Sequence, residues 1–225
     1  MDTTRYSSDI AFTPTVKSLQ TRKGSRRAYR NMEARGGWET TITDELRDFI
    51  GEQRSLFLAT VNAEGQPYIQ HRGGPPGFLR VLDALTLGFV DFAGNRQYIS
   101  SGNLIDNPKA HLFLIDYRQR RRVKIWGEAR MVEATPALLA QLMPADYKAR
   151  PEQVLVFTVH AWDANCPQHI PPRFEADSRA AARHPGHLPV QVLVCHQSFF
   201  PGVAGRSRQR SARVRPAGRR APVPA

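Results

Sequence analysis

Several things are scarce in this chain, and each shortage excludes a class. Its 225 residues include only two cysteines, Cys166 and Cys195. Two thiols build no disulfide framework, and such usage fits a reducing cytoplasm. No run approaches the roughly 20 apolar residues that a spanning helix requires. The opening Met1-Asp-Thr-Thr-Arg-Tyr-Ser-Ser-Asp9 lacks the apolar stretch of a signal peptide. A soluble cytoplasmic protein is therefore expected, without a membrane partner. No Gly-x-Gly-x-x-Gly follows a strand-like run, which speaks against a Rossmann site. His71, His160 and His169 match no zinc spacing, so no metal is expected. Cys166 has no evident acid–base partner and reads as an ordinary buried thiol.

Acidic residues are missing from one end. The formal net charge is +12, yet from Ser178 onward there are nine Arg and no Lys, Asp or Glu. That leaves 23 basic against 20 acidic residues in positions 1–177, a nearly neutral body. Residues 176–225 are an Arg-, Pro- and Ala-rich tail with no helical or strand period, and disorder is expected there. Two origins are open for it. One is a shifted reading frame in a GC-rich coding sequence, which sequencing the transcript across codons 170–180 tests. The other is a basic arm for RNA or DNA. The neutral body and the lack of an aromatic-basic RNA motif speak against nucleic acid as the main partner.

The remaining residues carry regular patterns. Thr13-Pro14 predicts a helix start, and Thr43-Asp44-Glu45 opens a second helix with Leu46, Phe49 and Ile50 on one face. Residues 1–54 are thus expected to be a helical segment packed on the main domain. Strands are predicted over residues 55–61 and 67–72, flanking the turn Asn62-Ala-Glu-Gly65. Further strands fall at residues 79–82, 85–90, 110–117, 122–132 and 152–162, with a short helix from Thr135-Pro136 to Leu142. The predicted fold is mainly β with peripheral helices: six or seven antiparallel strands in a closed or nearly closed barrel over residues 55–175. A doubly wound sheet does not fit, because the βαβ alternation is absent.

Three segments set Arg and small donors against strand-like runs. They are Gln70-His-Arg-Gly-Gly-Pro-Pro-Gly-Phe78, Phe92-Ala-Gly-Asn-Arg-Gln-Tyr-Ile99 with Gly102-Asn-Leu104, and Arg121-Arg-Val-Lys-Ile-Trp-Gly127. Fixed guanidinium groups beside close-approaching glycine backbone suit a phosphate or another compact anion. A fourth segment is Asn165-Cys-Pro-Gln-His-Ile-Pro-Pro-Arg-Phe174. In this order, the four resemble the FMN-binding split-barrel proteins related to pyridoxamine 5′-phosphate oxidase, from about Ile10 to Phe174.

The resemblance implies a split β-barrel, a homodimer, and FMN bound where two subunits meet. It matches Arg72 to the strand Arg that meets the FMN phosphate, beside Gly73; the plainer alternative is a rim ion pair. Arg96, Gln97, Ser100, Ser101 and Asn103 can donate to phosphate or ribityl oxygens, or else cap the turn at 102–107. Alternation sets Arg120 and Arg122 on one side of a strand and Arg121 on the other. The resemblance favours Arg122 for the flavin ring or ribityl chain, with Lys124 on its face. Trp162, Gln168 and Arg173 stand where the family's C-terminal strand approaches the partner's flavin. Asp91 and Asp116 read as turn or hydrogen-bond residues. The expected activity is an FMN-dependent oxidoreductase acting on an unidentified small-molecule redox substrate. A non-catalytic flavin-binding or sensing module is the alternative, and the phosphate frame alone does not separate FMN from a deazaflavin.

Overall fold

The structure, a computed structural model, describes residues 5–165 and 167–173. Cys166 and the tail, with the readings made for them above, lie outside the described residues.

Side-chain caps start three of the helices. Thr13, Thr43 and Thr135 accept from the amides of Val16, Leu46 and Leu138. They open α1 (Pro14–Arg22), α3 (Asp44–Glu52) and α5 (Pro136–Leu142). Each satisfies an amide that the first turn leaves unpaired. Between α1 and α3, α2 (Arg26–Glu33) is tied inward by a charge pair. Arg26 Nη1 reaches Glu33 Oε1 at 3.1 Å and Gln20 Oε1 at 2.9 Å, and Glu33 is only 2% exposed. A carboxylate so deep requires that partner. Among the described residues, no helix is long and apolar enough to cross a membrane.

The strands are β1 (Ser55–Val61), β2 (Pro67–Gly73), β3 (Arg80–Val81), β4 (Thr86–Phe92), β5 (Lys109–Asp116), β6 (Arg121–Glu133) and β7 (Pro151–Asn165). They form one antiparallel sheet in the order β2-β1-β5-β6-β7-β4-β3. Alternate residues of β1 and β5 turn inward, so Leu56, Leu58, Leu112 and Leu114 are fully buried. They share one core with Leu87 and Phe89 of β4, Val123 and Ile125 of β6, and Leu155 and Phe157 of β7. Strands far apart in the sheet order reach this core because the sheet curls into a split barrel. An ion pair from β2 to β4, at 3.1 Å between Arg72 Nε and Asp91 Oδ1, spans its opening. Burying a Leu or Phe contributes about 2 kcal/mol, so this interior dominates stability.

Two local features go beyond the strand and helix patterns predicted above. The turn at 102–107 is the second half of a helix, α4 (Ile99–Asp106), which begins three residues earlier. Its N-cap, Tyr98, sits in the left-handed region (φ 53°) and gives no side-chain cap, so no cap signal marks the start. In β7, His160 is an extra residue: Val159 pairs with Gly127 and Ala161 with Trp126. This bulge reverses the alternation beyond it. Trp162 therefore falls on the core side with Val159, where unbroken alternation would put it on the face of Val154 and Val156.

The segment before α3 covers the part of β7 that β4 does not reach. Glu39 forms a β-bridge with Trp162, and the Trp162 indole N–H donates to the Thr41 carbonyl at 2.8 Å. Trp38 stacks on Trp126 with ring centroids 4.6 Å apart.

Candidate functional site: an anion cradle at the start of α4

Arg72, next to last in β2, sits directly across from Leu56, so its side chain lies on the core-facing side of the sheet. There it meets Asp91, which is 9% exposed. The Nε–H is close to the carboxylate yet not aligned as a hydrogen bond. Neither Nη group forms a hydrogen bond among the described residues. The other carboxylate oxygen of Asp91 accepts from Gln153 Nε2 at 3.0 Å, and the same amide donates to Ser101 Oγ at 3.0 Å. Arg72, Asp91, Gln153 and Ser101 are thus one chain of contacts joining β2, β4, β7 and α4.

That chain ends at a bare helix N-terminus. The first intrahelical bond of α4 runs from the Gly102 amide to the Tyr98 carbonyl, so the helix itself does not use the amides of residues 99–101. Ser100 is 2% exposed, and its Oγ has no hydrogen-bond partner among the described residues. Unpaired amides, the helix dipole and a buried hydroxyl favour a compact anion. A native fold seldom leaves a buried hydroxyl unpaired without a use for it.

Not every residue expected at the site is free to serve it. Asn103 is spent on Thr60, with Nδ2 to Oγ1 at 3.0 Å, and fixes α4 to β1. Gln97 accepts from Asn95 within the preceding loop. Arg96 is exposed and engages Tyr98 and Glu152. The close approach beside Gly73 is made by protein: a Cβ there would stand 3.0 Å from the Arg54 carbonyl and 3.1 Å from the His71 ring.

Two of the remaining expected residues, Arg122 and Lys124, lie on the other face of the sheet. Arg122 and Lys124 oppose Ile115 and Phe113 on the outer face, whereas Val123 and Ile125 turn into the core. Lys124 is occupied, 3.0 Å from Asp163 Oδ2 and over the rings of Trp38 and Trp126. Arg122 makes no ion pair or side-chain hydrogen bond among the described residues. Arg120 is not in the strand at all. It occupies the β5–β6 turn with φ 54° and donates to the Pro167 carbonyl at 3.2 Å. Arg121 is held by Glu45 at 2.7 Å. Gln168 is exposed, and Arg173 lies over the Tyr117 ring at 4.4 Å. Trp162 belongs to the core, with its only polar donor committed to Thr41.

The sequence patterns do not mark Glu152, Gln153 and Tyr98 as site residues, and they mark Asp91 only as a turn or hydrogen-bond residue. Their signal is that Asp91 interrupts an apolar strand and Glu152-Gln153 opens another. Register then sets Asp91 opposite Gln153.

The family profile described as pyridoxamine 5′-phosphate oxidase matches residues 42–166. The chain belongs to this family. The matched span runs from just before α3 to the end of β7 and so contains the whole pyridoxamine 5′-phosphate oxidase-type barrel and the cradle. No curated protein matches the chain. Among solved structures, HupZ from Group A Streptococcus is 20% identical, over 59% of this chain and 99% of that one, with a TM-score of 0.45. An FMN-binding protein from Syntrophomonas wolfei is 16% identical, over 68% of this chain and 95% of that one, with a TM-score of 0.42. General Stress Protein 26 from Bacillus anthracis is 18% identical, over 53% and 91%, with a TM-score of 0.37.

Proposed function

We propose that this chain binds FMN by its phosphate at the start of α4 and acts as an FMN-dependent oxidoreductase on a small-molecule substrate. The observation that carries the reading is the buried Ser100 hydroxyl, unpaired among the described residues, at a helix N-terminus without a side-chain cap, one contact chain away from Arg72. These groups fit a phosphomonoester. Among the described residues both Nη groups of Arg72 are uncommitted, Ser100 and Ser101 can each donate a hydroxyl proton, and the first-turn amides complete the cradle. Asp91 and Gln153 hold Arg72 and Ser101 in place from behind. When bound, the flavin ring supplies acceptance of a hydride or electrons, so the protein needs no nucleophile of its own.

The proposal includes a homodimer, and the placing of two arginines supports it. Arg72 lies on the core-facing side of β2, and Arg122 lies on the outer face of β6, three places along the sheet. Within one subunit the two side chains face opposite sides of the sheet. A second copy presenting Arg122, with Gln168 and Arg173 near its β5–β6 turn, resolves this.

The test is the absorption spectrum of the purified protein, with any released cofactor identified by mass. A flavin band and the mass of FMN support the proposal, and a deazaflavin mass would revise the cofactor. Turnover of the bound flavin with candidate reductants and oxidants then separates an oxidoreductase from a non-catalytic flavin module. A colourless protein that takes up no added FMN would overturn the reading.

A further inference from the structure

The loop entering α4 carries two non-glycine residues in the left-handed region, Arg96 at φ 58° and Tyr98 at φ 53°. Each such residue costs roughly 1 kcal/mol, so the loop keeps this shape only if something outside it holds it. One side chain does so. Tyr98 Oη donates to Glu152 Oε1 at 2.6 Å, Arg96 Nε donates to Tyr98 Oη at 3.1 Å, and Arg96 Nε stands 3.7 Å from the same Glu152 oxygen. Glu152 sits on β7 next to Gln153, the residue that carries Ser101 and Asp91. A single rigid strand therefore grips both sides of the helix start: Gln153 holds the first turn, and Glu152 holds its N-cap.

Resting on the FMN reading above, we infer that Glu152 is a positioning residue for the cofactor phosphate. Through Tyr98 and Arg96 it fixes the left-handed N-cap of α4, so that the amides of residues 99–101 and the Ser100 hydroxyl converge on one point. Glu152 does not touch the ligand, and its charge is balanced by Arg96. Its effect is confined to the phosphate and does not extend to the ring.

FMN and riboflavin, which lacks the phosphate, separate these parts. Both are titrated into the full chain and into Glu152→Ala and Glu152→Gln, with flavin fluorescence as the readout. Glu152→Ala is expected to weaken FMN binding about tenfold, the scale of one misplaced charge-assisted hydrogen bond. Riboflavin affinity should stay within about twofold. Glu152→Gln, whose side-chain carbonyl still accepts from Tyr98, should recover most of the FMN affinity. FMN binding equal to wild type in Glu152→Ala would overturn the inference while leaving the cofactor reading intact. Equal losses of FMN and riboflavin, with a lowered melting temperature, would make Glu152 merely structural and also overturn it. A wild-type chain that binds no FMN would remove the cofactor reading and this inference together.

Discussion

Arg72 lies on β2 at one end of the sheet order and Asp91 on β4, next to the other end, yet their side chains meet at 3.1 Å across the opening of the barrel. The contact joins β2 to β4 and holds the guanidinium that the proposed phosphate site would use. Both side chains are mostly buried, with relative exposures of 18% and 12%. Removing either one strands the other's charge in a poorly solvated place. Asp91→Leu or Arg72→Leu should therefore cost about 2–4 kcal/mol in urea unfolding. The double variant should cost less than the sum of the two. Strict additivity would show that the pair is not coupled.

Gly127 tests the bulge that turns Trp162 inward. A Cβ at this position would lie 1.9 Å from the Thr158 carbonyl and 2.7 Å from the Phe157 ring, and the carbonyl is backbone that cannot swing away. Gly127→Ala should destabilise the chain by about 3 kcal/mol or more, or prevent soluble expression. Melting within a few degrees of wild type would contradict the bulge geometry.

His111 makes acid sensitivity local. Burial beside Trp126, with the Lys124 ammonium nearby, lowers its pKa to about 4 from the usual 6.5. A base whose pKa is depressed by folding takes up its proton more readily when unfolded. Its stabilising contribution is whole above about pH 6.5 and drains away as pH falls toward 4. His111→Phe should flatten the stability profile between those values. A profile as steep as wild type across that window would assign the acid sensitivity elsewhere.

The resemblance matches Trp162 to the cofactor, whereas its side chain packs in the core and donates to the Thr41 carbonyl. Trp162→Phe leaves the Thr41 carbonyl without its donor and should cost about 1–3 kcal/mol. FMN affinity, read by fluorescence titration, should hardly change. A large loss of affinity at wild-type stability would return Trp162 to the cofactor site.

Much of the barrel was legible because local and global signals agreed. Thr13, Thr43 and Thr135 announce their helices through side-chain caps, and the apolar alternation of β1 and β5 survives into the core. Where the reading slipped, the deciding interaction was remote in sequence. The start of α4 is invisible because its cap is held by Glu152, 54 residues away, instead of by a neighbouring Ser or Thr. The inward turn of Trp162 depends on a bulge that exists only in the pairing of β7 with β6. Gly73-Gly74 suggested a ligand's close approach, but the neighbours are the Arg54 carbonyl and Phe78. The resemblance points to Arg72, and its hydroxyl donor points to Ser101; what joins them is the register that sets Asp91 beside Gln153.

The central claim is that a phosphate is held between Arg72 and the start of α4. Calorimetric titration of FMN and riboflavin into the wild-type chain and Arg72→Ala, with folding of the variant checked by circular dichroism, tests it most directly. The wild-type chain should favour FMN over riboflavin by about 100-fold, as two charge-assisted hydrogen bonds would give. In the folded variant that preference should shrink to about tenfold or less. Equal affinity for FMN and riboflavin in the wild-type chain, or an undiminished preference without Arg72, would contradict the account.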